Sequence, residues 1–388
     1  MKILFFISVM SHGRGGHAHS LNHISLELGA ENNVGIVTVG IGTSEVLKGN
    51  PYFLKHISFT GFNYFSFRKN IMSVCKDFNA EVLHFFDYQS YILASLLLNT
   101  RNYKMILTKC GGANPLDFPF VDNLILFSLE NEKWFKDRSK FKATKIYTIP
   151  NRVRSIKVGK SSELDRFKGI FTFMRIARIG ETYKKGIMDS IRLIQALNLK
   201  LKEEVKLLIV GTVQDPRVYD ELVKARGNDF NIMFFVDDIY TQEASRHLNI
   251  ADAVIATGRG VMEAASLGKP ILTPAKNSTF PILITKRNFP SFFKTNFSER
   301  NLVEREDEIS NLSNILNLIR SNVNYAKCSN YSISLFNEYF NVANVKSKYL
   351  KIYNDADKSQ RSFFIKDLNI YITTLLSFVK SYIKTIKT

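Results

Sequence analysis

Two doubly wound α/β domains, each a mainly parallel sheet covered by helices, are what this sequence predicts, and three observations carry that reading. The 388 residues are too many for one ordinary compact domain and suit two of about 100–200 residues each. Hydrophobic residues at 45% and charged residues at 23% are globular values, and 31 Phe with 16 Tyr supply apolar surface to offset chain entropy, which rules out wholesale disorder. Short apolar runs alternate with helical periodicity along most of the chain, and parallel strands need such crossovers to connect them.

In chain order, residues 2–9, 34–39, 82–86, 104–108 and 123–127 read as the strands of the first domain. The run from Ile3 to Met10 also has the length of a signal-peptide core. Ser11-His12-Gly13-Arg14-Gly15-Gly16 follows it instead of a small-residue cleavage site, so it reads as a buried first strand. Leu21, Ile24 and Leu28 mark the next helix. The polar, basic stretch from Pro150 to Lys160, continued by Ser161 and Ser162, reads as a linker. Strands resume at 170–176, 205–210, 231–236, 252–256 and 270–273, with Ile187, Ile191, Ile194 and Leu197 on an intervening helix. After about residue 330 the strands stop. A helix from Leu335 to Tyr353, the polar Asp355 to Gln360 and an amphipathic segment end the chain. The domains are therefore 1–152 and 165–335, with a helix over 336–353 crossing back to the first and a basic tail over 362–388.

Within that tail, Ile365, Leu368, Ile372, Leu375, Leu376, Val379, Ile383 and Ile386 share one helical face, and Lys366, Lys380, Lys384 and Lys387 gather along its flank. Such a helix is too interrupted to span a bilayer and suited to lie in an anionic membrane surface. The alternative is a helix packed on the protein's own surface. No stretch is long and apolar enough to cross a membrane. Charge is the outlier: 53 Lys and Arg against 35 Asp and Glu leave +18, which favours anionic partners without choosing among them. The basic residues are dispersed and match no nucleic-acid-binding module, so nucleic acid is not expected as a partner. Cys75, Cys110 and Cys328 have neither disulfide nor zinc spacing, which points to a cytoplasmic chain.

Gly13, Gly15 and Gly16 stand between the first strand and its helix, where backbone N–H groups and a helix N-terminus favour an anion. Neither a P-loop nor G-x-G-x-x-G is present, and a tight turn without a ligand has the same composition. His12, His17, His19 and His23 cluster there without a carboxylate pair or cysteine. They read as substrate contacts or solvated side chains, and no metal is expected. In the second domain, Arg175, Arg178, Lys184 and Lys185 flank the end of the first strand, where ligands of open α/β sheets bind, with Gly186 opening the next helix; a solvated basic loop is the plain alternative. Further on, Thr257-Gly258-Arg259-Gly260 reads as a turn opening a helix from Val261 to Leu267, with Glu263 in its first turn. Glu263 either complements the helix dipole or, with the basic pair, suits a diphosphate and a ribose. Asp237-Asp238 reads as a turn or a nucleobase contact, and Asp355-Ala356-Asp357 as solvated linker rather than a metal motif.

Arg178…Lys185-Gly186, Leu208-Ile209-Val210-Gly211, Ala251-Asp252, Glu263-Ala264 and Gly268-Lys269-Pro270 together resemble the nucleotide-binding domain of GT-B glycosyltransferases of family 4. Gly15-Gly16, Phe127-Ser128-Leu129-Glu130 and Ile149-Pro150-Asn151 match the same pattern more loosely. The resemblance implies two Rossmann-like domains with a cleft between them and a retaining transfer without a metal or other cofactor. It implies a nucleotide-sugar donor and a glycan or lipid-linked acceptor, in cell-surface polysaccharide biosynthesis at the inner face of a bacterial membrane. It assigns Arg178 and Lys185 to the donor diphosphate as the catalytic cations, Glu263 to the ribose, and Gly15, Gly16, Gly258, Arg259 and Gly260 to the donor site. Two departures stand out. Ile255 occupies the position eight residues before Glu263 where the family usually carries Glu, and Lys109-Cys110-Gly111-Gly112 stands where an active-site His is usual. They keep two alternatives open: a non-catalytic sugar-nucleotide- or glycan-binding subunit of a polysaccharide assembly complex, and a nucleotide-sugar epimerase of the same fold. Cys110 has no nearby His to activate it as a nucleophile.

Overall fold

The structure is a computed structural model that describes residues 1–10, 13–157, 164, 167–359 and 367–387. Ser11 and His12, most of the linker from 158 onward, Gln360, and Ile365 and Lys366 of the tail lie outside the described residues. Contacts divide the chain into Met1–Asn151 with Val342–Thr388 (unit 1) and Arg152–Asn341 (unit 2).

Unit 1 alternates strand and helix: β1 (Lys2–Val9), α1 (Gly16–Leu28), β2 (Asn33–Gly40), α2 (Glu45–Lys48), β3 (Phe53–Ser58), α3 (Tyr64–Asp77), β4 (Val82–Phe85), α4 (Tyr88–Leu97), β5 (Lys104–Lys109), β6 (Asn123–Leu126), α5 (Leu129–Lys136) and β7 (Lys145–Thr148). Among the described residues its strands form a seven-stranded parallel sheet in the order β3-β2-β1-β4-β5-β6-β7, so connectivity reverses between β1 and β4. Unit 2 continues with β8 (Thr172–Ile176), α6 (Glu181–Asn198), β9 (Lys206–Val210), α7 (Pro216–Arg226), β10 (Ile232–Phe235), α8 (Asp238–Thr241), β11 (Ala253–Ile255), α9 (Arg259–Ser266), β12 (Ile271–Thr273), β13 (Ile282–Leu283), α10 (Phe289–Lys294), α11 (Arg305–Arg320) and α12 (Asn322–Leu335). Among the described residues its six strands run β10-β9-β8-β11-β12-β13, parallel except for β12 with β13, and reverse between β8 and β11. Ligands of open α/β sheets bind outside the carboxyl ends of strands at such reversals.

All ten strands expected from the sequence form. Among the described residues the three it did not mark, β3, β7 and β13, are three of the four sheet edges, the fourth being β10. An edge strand is covered less, so its residues need not be a continuous apolar run: β3 reads Phe-Leu-Lys-His-Ile-Ser with only Ile57 buried.

The single helix expected over Leu335–Tyr353 is instead broken. A π-helical turn at Phe336–Phe340 ends in unit 2, and a 3-10 turn at Val342–Val345 leads into α13 (Lys346–Asp355) in unit 1. Phe336 and Phe340 enter one core while Val342, Val345, Tyr349 and Tyr353 enter another, and the chain changes direction at Asn341 to serve both. The stretch after α13 is strapped to unit 1, with Ser359 donating its N–H to the Tyr103 carbonyl and its hydroxyl to Asp122. Asp357 of the expected linker pairs with Lys145 on the surface. The last helix, α14 (Leu368–Lys387), packs on unit 1 rather than standing apart from it, burying Ile370, Tyr371 and Phe378. No helix among the described residues is long and apolar enough to cross a membrane.

His84 ties α13 down. Its Nδ1 lies 2.7 Å from the Tyr353 hydroxyl and its Nε2 2.7 Å from the Thr108 hydroxyl, all buried. Burial pushes its pKa down to about 3, so the folded imidazole stays neutral while the unfolded chain takes up a proton below about pH 6.5. Stability is therefore full above that pH and falls between about pH 6.5 and 3, by up to about 1.4 kcal/mol per unit. His84→Gln should lower stability at pH 7 and flatten this acid limb; equal pH slopes in urea unfolding of the two proteins would refute it.

Candidate functional site

The carboxyl edge of β8 and β11 in unit 2 gathers most of the charged residues singled out above. Arg178 lies exposed on the β8–α6 loop, its guanidinium over the Tyr183 ring at 5.4 Å and donating to the Tyr183 hydroxyl at 3.1 Å. Lys185 lies on α6, where its Nζ donates to the carboxylate of Asp189 at 2.5 Å and to the carbonyls of Ala275 at 3.2 Å and Ser278 at 3.0 Å. Helix α6 starts at Glu181 behind Gly180, five residues before the expected start at Gly186, because the polar Glu-Thr-Tyr-Lys-Lys run is its exposed first turns rather than loop. Lys184 turns to Glu221 and Glu181 on the outer surface, away from this group.

Arg175 has a different part. It sits inside β8, opposite Ile255 in β11, and is 1% exposed. Its Nη2 pairs with Glu299 at 2.7 Å, and its buried Nε and Nη1 have no partner atom. Burial raises the pKa of Glu299, against the opposing pull of Arg175, and burial likewise raises Asp189 against Lys185. A Cβ on Gly186 would lie 2.6 Å from Arg175 Nη2 and 2.5 Å from Glu299 Oε2, so only glycine leaves room for this pair. Neither Glu299 nor Asp189 stood out in the sequence. Glu299 is 124 residues from its partner, whereas Asp189, four residues after Lys185 on a helix, carried a usable signal.

Helix α9 begins at Arg259 behind Gly258, two residues earlier than expected, so Arg259 and Gly260 belong to the helix and Glu263 is its fifth residue rather than part of its first turn. Gly258 takes φ +49°, open to glycine at little cost, and its N–H donates to the Phe297 carbonyl. Glu263 is buried and accepts from Arg259 Nε at 2.7 Å. That burial and ion pair, rather than complementing the helix dipole, are what its carboxylate meets. Arg259 accordingly steadies Glu263. Ile255 is fully buried in β11. Asp237 stands at the N-cap position of α8 in the expected turn, without a side-chain cap hydrogen bond.

In unit 1, Gly15 is the N-cap of α1 and Gly16 its first residue, with no side-chain cap and no acidic residue in the first turn. His17, His19 and His23 are half-buried along α1. Lys109 donates to the Gly111 carbonyl and to Asn131 Oδ1, and Gly111 and Gly112 both take positive φ. Burial drives the Cys110 thiol far above its ordinary pKa, leaving it inert at neutral pH. Asn151 accepts from Ser20 of α1 at 2.8 Å, which fixes the end of the Ile-Pro-Asn segment.

Residues 166–326, which hold all of these unit 2 groups, match the family model of glycosyl transferases group 1. Unit 2 is a group 1 glycosyl transferase domain. With its two Rossmann-like units the chain has the GT-B fold and carries that domain in unit 2. No curated protein matches the sequence. Among solved structures, Anabaena Alr3699/HepE in complex with UDP and glucose is similar at 14% identity and TM-score 0.65, over 91% of this chain and 100% of that one. Sucrose-phosphate synthase from Thermosynechococcus elongatus is similar at 14% identity and TM-score 0.58, over 91% and 98%. A UDP-N-acetylglucosamine 2-epimerase assigned as such in Listeria monocytogenes gives 13% and 0.59, over 94% and 100%. Identities this low show the fold alone.

Glu263→Gln in this domain keeps the side chain's size and removes its charge. If the carboxylate accepts from a ribose, the variant should discriminate less between ribo- and 2′-deoxyribonucleoside diphosphates in calorimetry. Unchanged discrimination would leave Glu263 as the partner of Arg259 only.

Proposed function

We propose that this glycosyltransferase moves a sugar from a nucleoside diphosphate donor, held by unit 2, to a glycan or lipid-linked acceptor, in polysaccharide assembly at a membrane surface. The observation that carries this reading is the exposed Arg178 on the loop after β8, followed by Lys185 on α6, at the strand reversal of a group 1 domain. Breaking the bond between C1 and the diphosphate oxygen leaves negative charge on the departing diphosphate. Arg178 and Lys185 supply the opposing charge, and the start of α9 at Gly258–Gly260 adds backbone N–H dipoles. Lys185 spends its hydrogen bonds on Asp189 and two carbonyls, and exchanges one carbonyl for a phosphate oxygen when the donor binds. Asp189 holds the ammonium in place, and Arg259 does the same for the Glu263 carboxylate at the ribose. In this reading these cations offset the leaving charge in place of a metal, and the transfer retains the anomeric configuration.

The test is nucleoside diphosphate release from a panel of UDP-, GDP-, ADP- and dTDP-sugars, with and without a polyprenyl-linked saccharide, UDP-sugars first because HepE was solved with UDP and glucose. Release that requires the acceptor, with the product anomer matching the donor's by NMR, is the expected result. A sugar epimer formed without acceptor would make the chain an epimerase, and binding without release a non-catalytic subunit.

A further inference from the structure

Helix α14 uses one face to dock and leaves another bare. On the docked face, Phe378 meets Phe59 edge-on with ring centroids 5.0 Å apart, and Gln89 donates to Ser377. Just ahead of the helix, the buried Asp367 accepts the Phe120 N–H at 2.6 Å and pairs with Lys140. On the bare face Leu368, Ile372, Leu376, Ile383 and Ile386 are 43–66% exposed. These five belong to the apolar stripe expected from the sequence. The residues that bury the helix, Ile370, Tyr371, Thr374 and Phe378, do not.

A second element continues the bare surface. Phe62 is 68% and Phe65 84% exposed, with Tyr64 and Met72 exposed beside them on α3. The Phe62 ring meets Tyr382 of α14 at 6.3 Å, and Gly61 lies against Val379, so the segment entering α3 and the last turns of α14 share one surface. Arg68 and Lys69 on α3 and Lys380 and Lys384 on α14 are exposed among these apolar side chains. Unit 1 buries many other Phe and Ile side chains completely, so large apolar groups left in water on two adjoining helices mark an interaction surface. Its composition names the partner. Protein interfaces are depleted of Lys, and a second copy would bring like charges together in a chain of net charge +18. Aromatic and aliphatic side chains ringed by Lys and Arg suit the boundary between anionic headgroups and acyl chains.

We propose that the first turn of α3 and the outer face of α14 together form a docking surface for an anionic lipid bilayer, with α14 remaining folded on unit 1. The surface borders the carboxyl edge of the unit 1 sheet, since Phe378 lies against Gly40 at the end of β2 and Phe59 just after β3. A lipid-linked acceptor would then reach that edge along the membrane; this consequence rests on the proposed transfer, while the docking itself does not.

Truncating α14 would open the unit 1 core, so the test uses surface substitutions in the full chain. Phe62→Ser/Phe65→Ser and Leu376→Ser/Ile383→Ser are compared with the parent for sedimentation with phosphatidylcholine vesicles, with and without phosphatidylglycerol, at low salt. Circular dichroism, thermal midpoint and UDP affinity are read on the same samples. The parent should sediment with the anionic vesicles only, and each double variant should lose about tenfold or more in partitioning with its fold and UDP affinity unchanged. Failure of the parent to sediment overturns the proposal, as does full binding by Phe62→Ser/Phe65→Ser. A parent dimer that these substitutions split, without vesicle binding, would make a second copy the occupant and overturn it as well. Unchanged UDP affinity in Arg178→Ala and Lys185→Ala would refute the donor site and leave the vesicle result standing.

Discussion

Arg178→Ala and Lys185→Ala should each weaken nucleoside diphosphate binding by about 1.5–3 kcal/mol, roughly ten- to a hundredfold, because each removes a charge-assisted contact to phosphate. The two changes should differ in their side effects. Arg178 is exposed and meets the Tyr183 ring and hydroxyl, so its loss should leave stability nearly unchanged. Lys185 neutralises Asp189, whose side chain is 2% exposed, so its loss leaves a buried carboxylate short of a partner and lowers stability as well. Calorimetric titration of UDP beside urea unfolding separates these effects. Unchanged affinity in both variants would remove the diphosphate site. A conservative Lys185→Arg should restore the charge but not the hydrogen bonds to the Ala275 and Ser278 carbonyls, because a planar guanidinium cannot reproduce the ammonium's geometry.

Glu299→Ala should destabilise unit 2 by about 3–5 kcal/mol, the cost typical of leaving a buried charge without its partner. Arg175 is 1% exposed and already has two N–H-bearing atoms without a partner, so Glu299 is what offsets its desolvation. Replacing both ends together, Arg175→Met with Glu299→Leu, should recover much of that loss, since an apolar pair avoids the burial of charge altogether. Equal destabilisation by the single and the double variant in urea unfolding would show that packing, and not charge, dominates at this position.

Most of the sheet architecture was legible because buried parallel strands are near-continuous apolar runs, and Leu208-Ile209-Val210 or Phe5-Phe6-Ile7 cannot be mistaken for surface. The edges β3 and β7 escaped because Lys55, His56 and Lys145 break the apolar pattern where a strand is half in water. Helix starts were misplaced for a related reason. The first turns of α6 and α9 carry polar residues and glycine, and Glu181 to Lys185 or Arg259-Gly260 looks like loop until a backbone closes its hydrogen bonds. The cations of the site were legible as residue types, but their roles were not. Arg175 and Arg178 are three apart in sequence; the strand turns one inward to Glu299 and leaves the other outside. Pairings such as Arg175 with Glu299, or His84 with Tyr353, join positions far apart in the chain, and no local pattern records them.

Hydrogen–deuterium exchange of the full chain with and without saturating UDP tests most directly that unit 2 holds the donor at the carboxyl edge of β8 and β11. Protection should concentrate in peptides covering Ala177–Asp189 and Ala256–Ala264, with Arg178→Ala/Lys185→Ala abolishing it at the same UDP concentration. Protection confined to other parts of the chain, or unchanged protection in the double variant, would contradict the account.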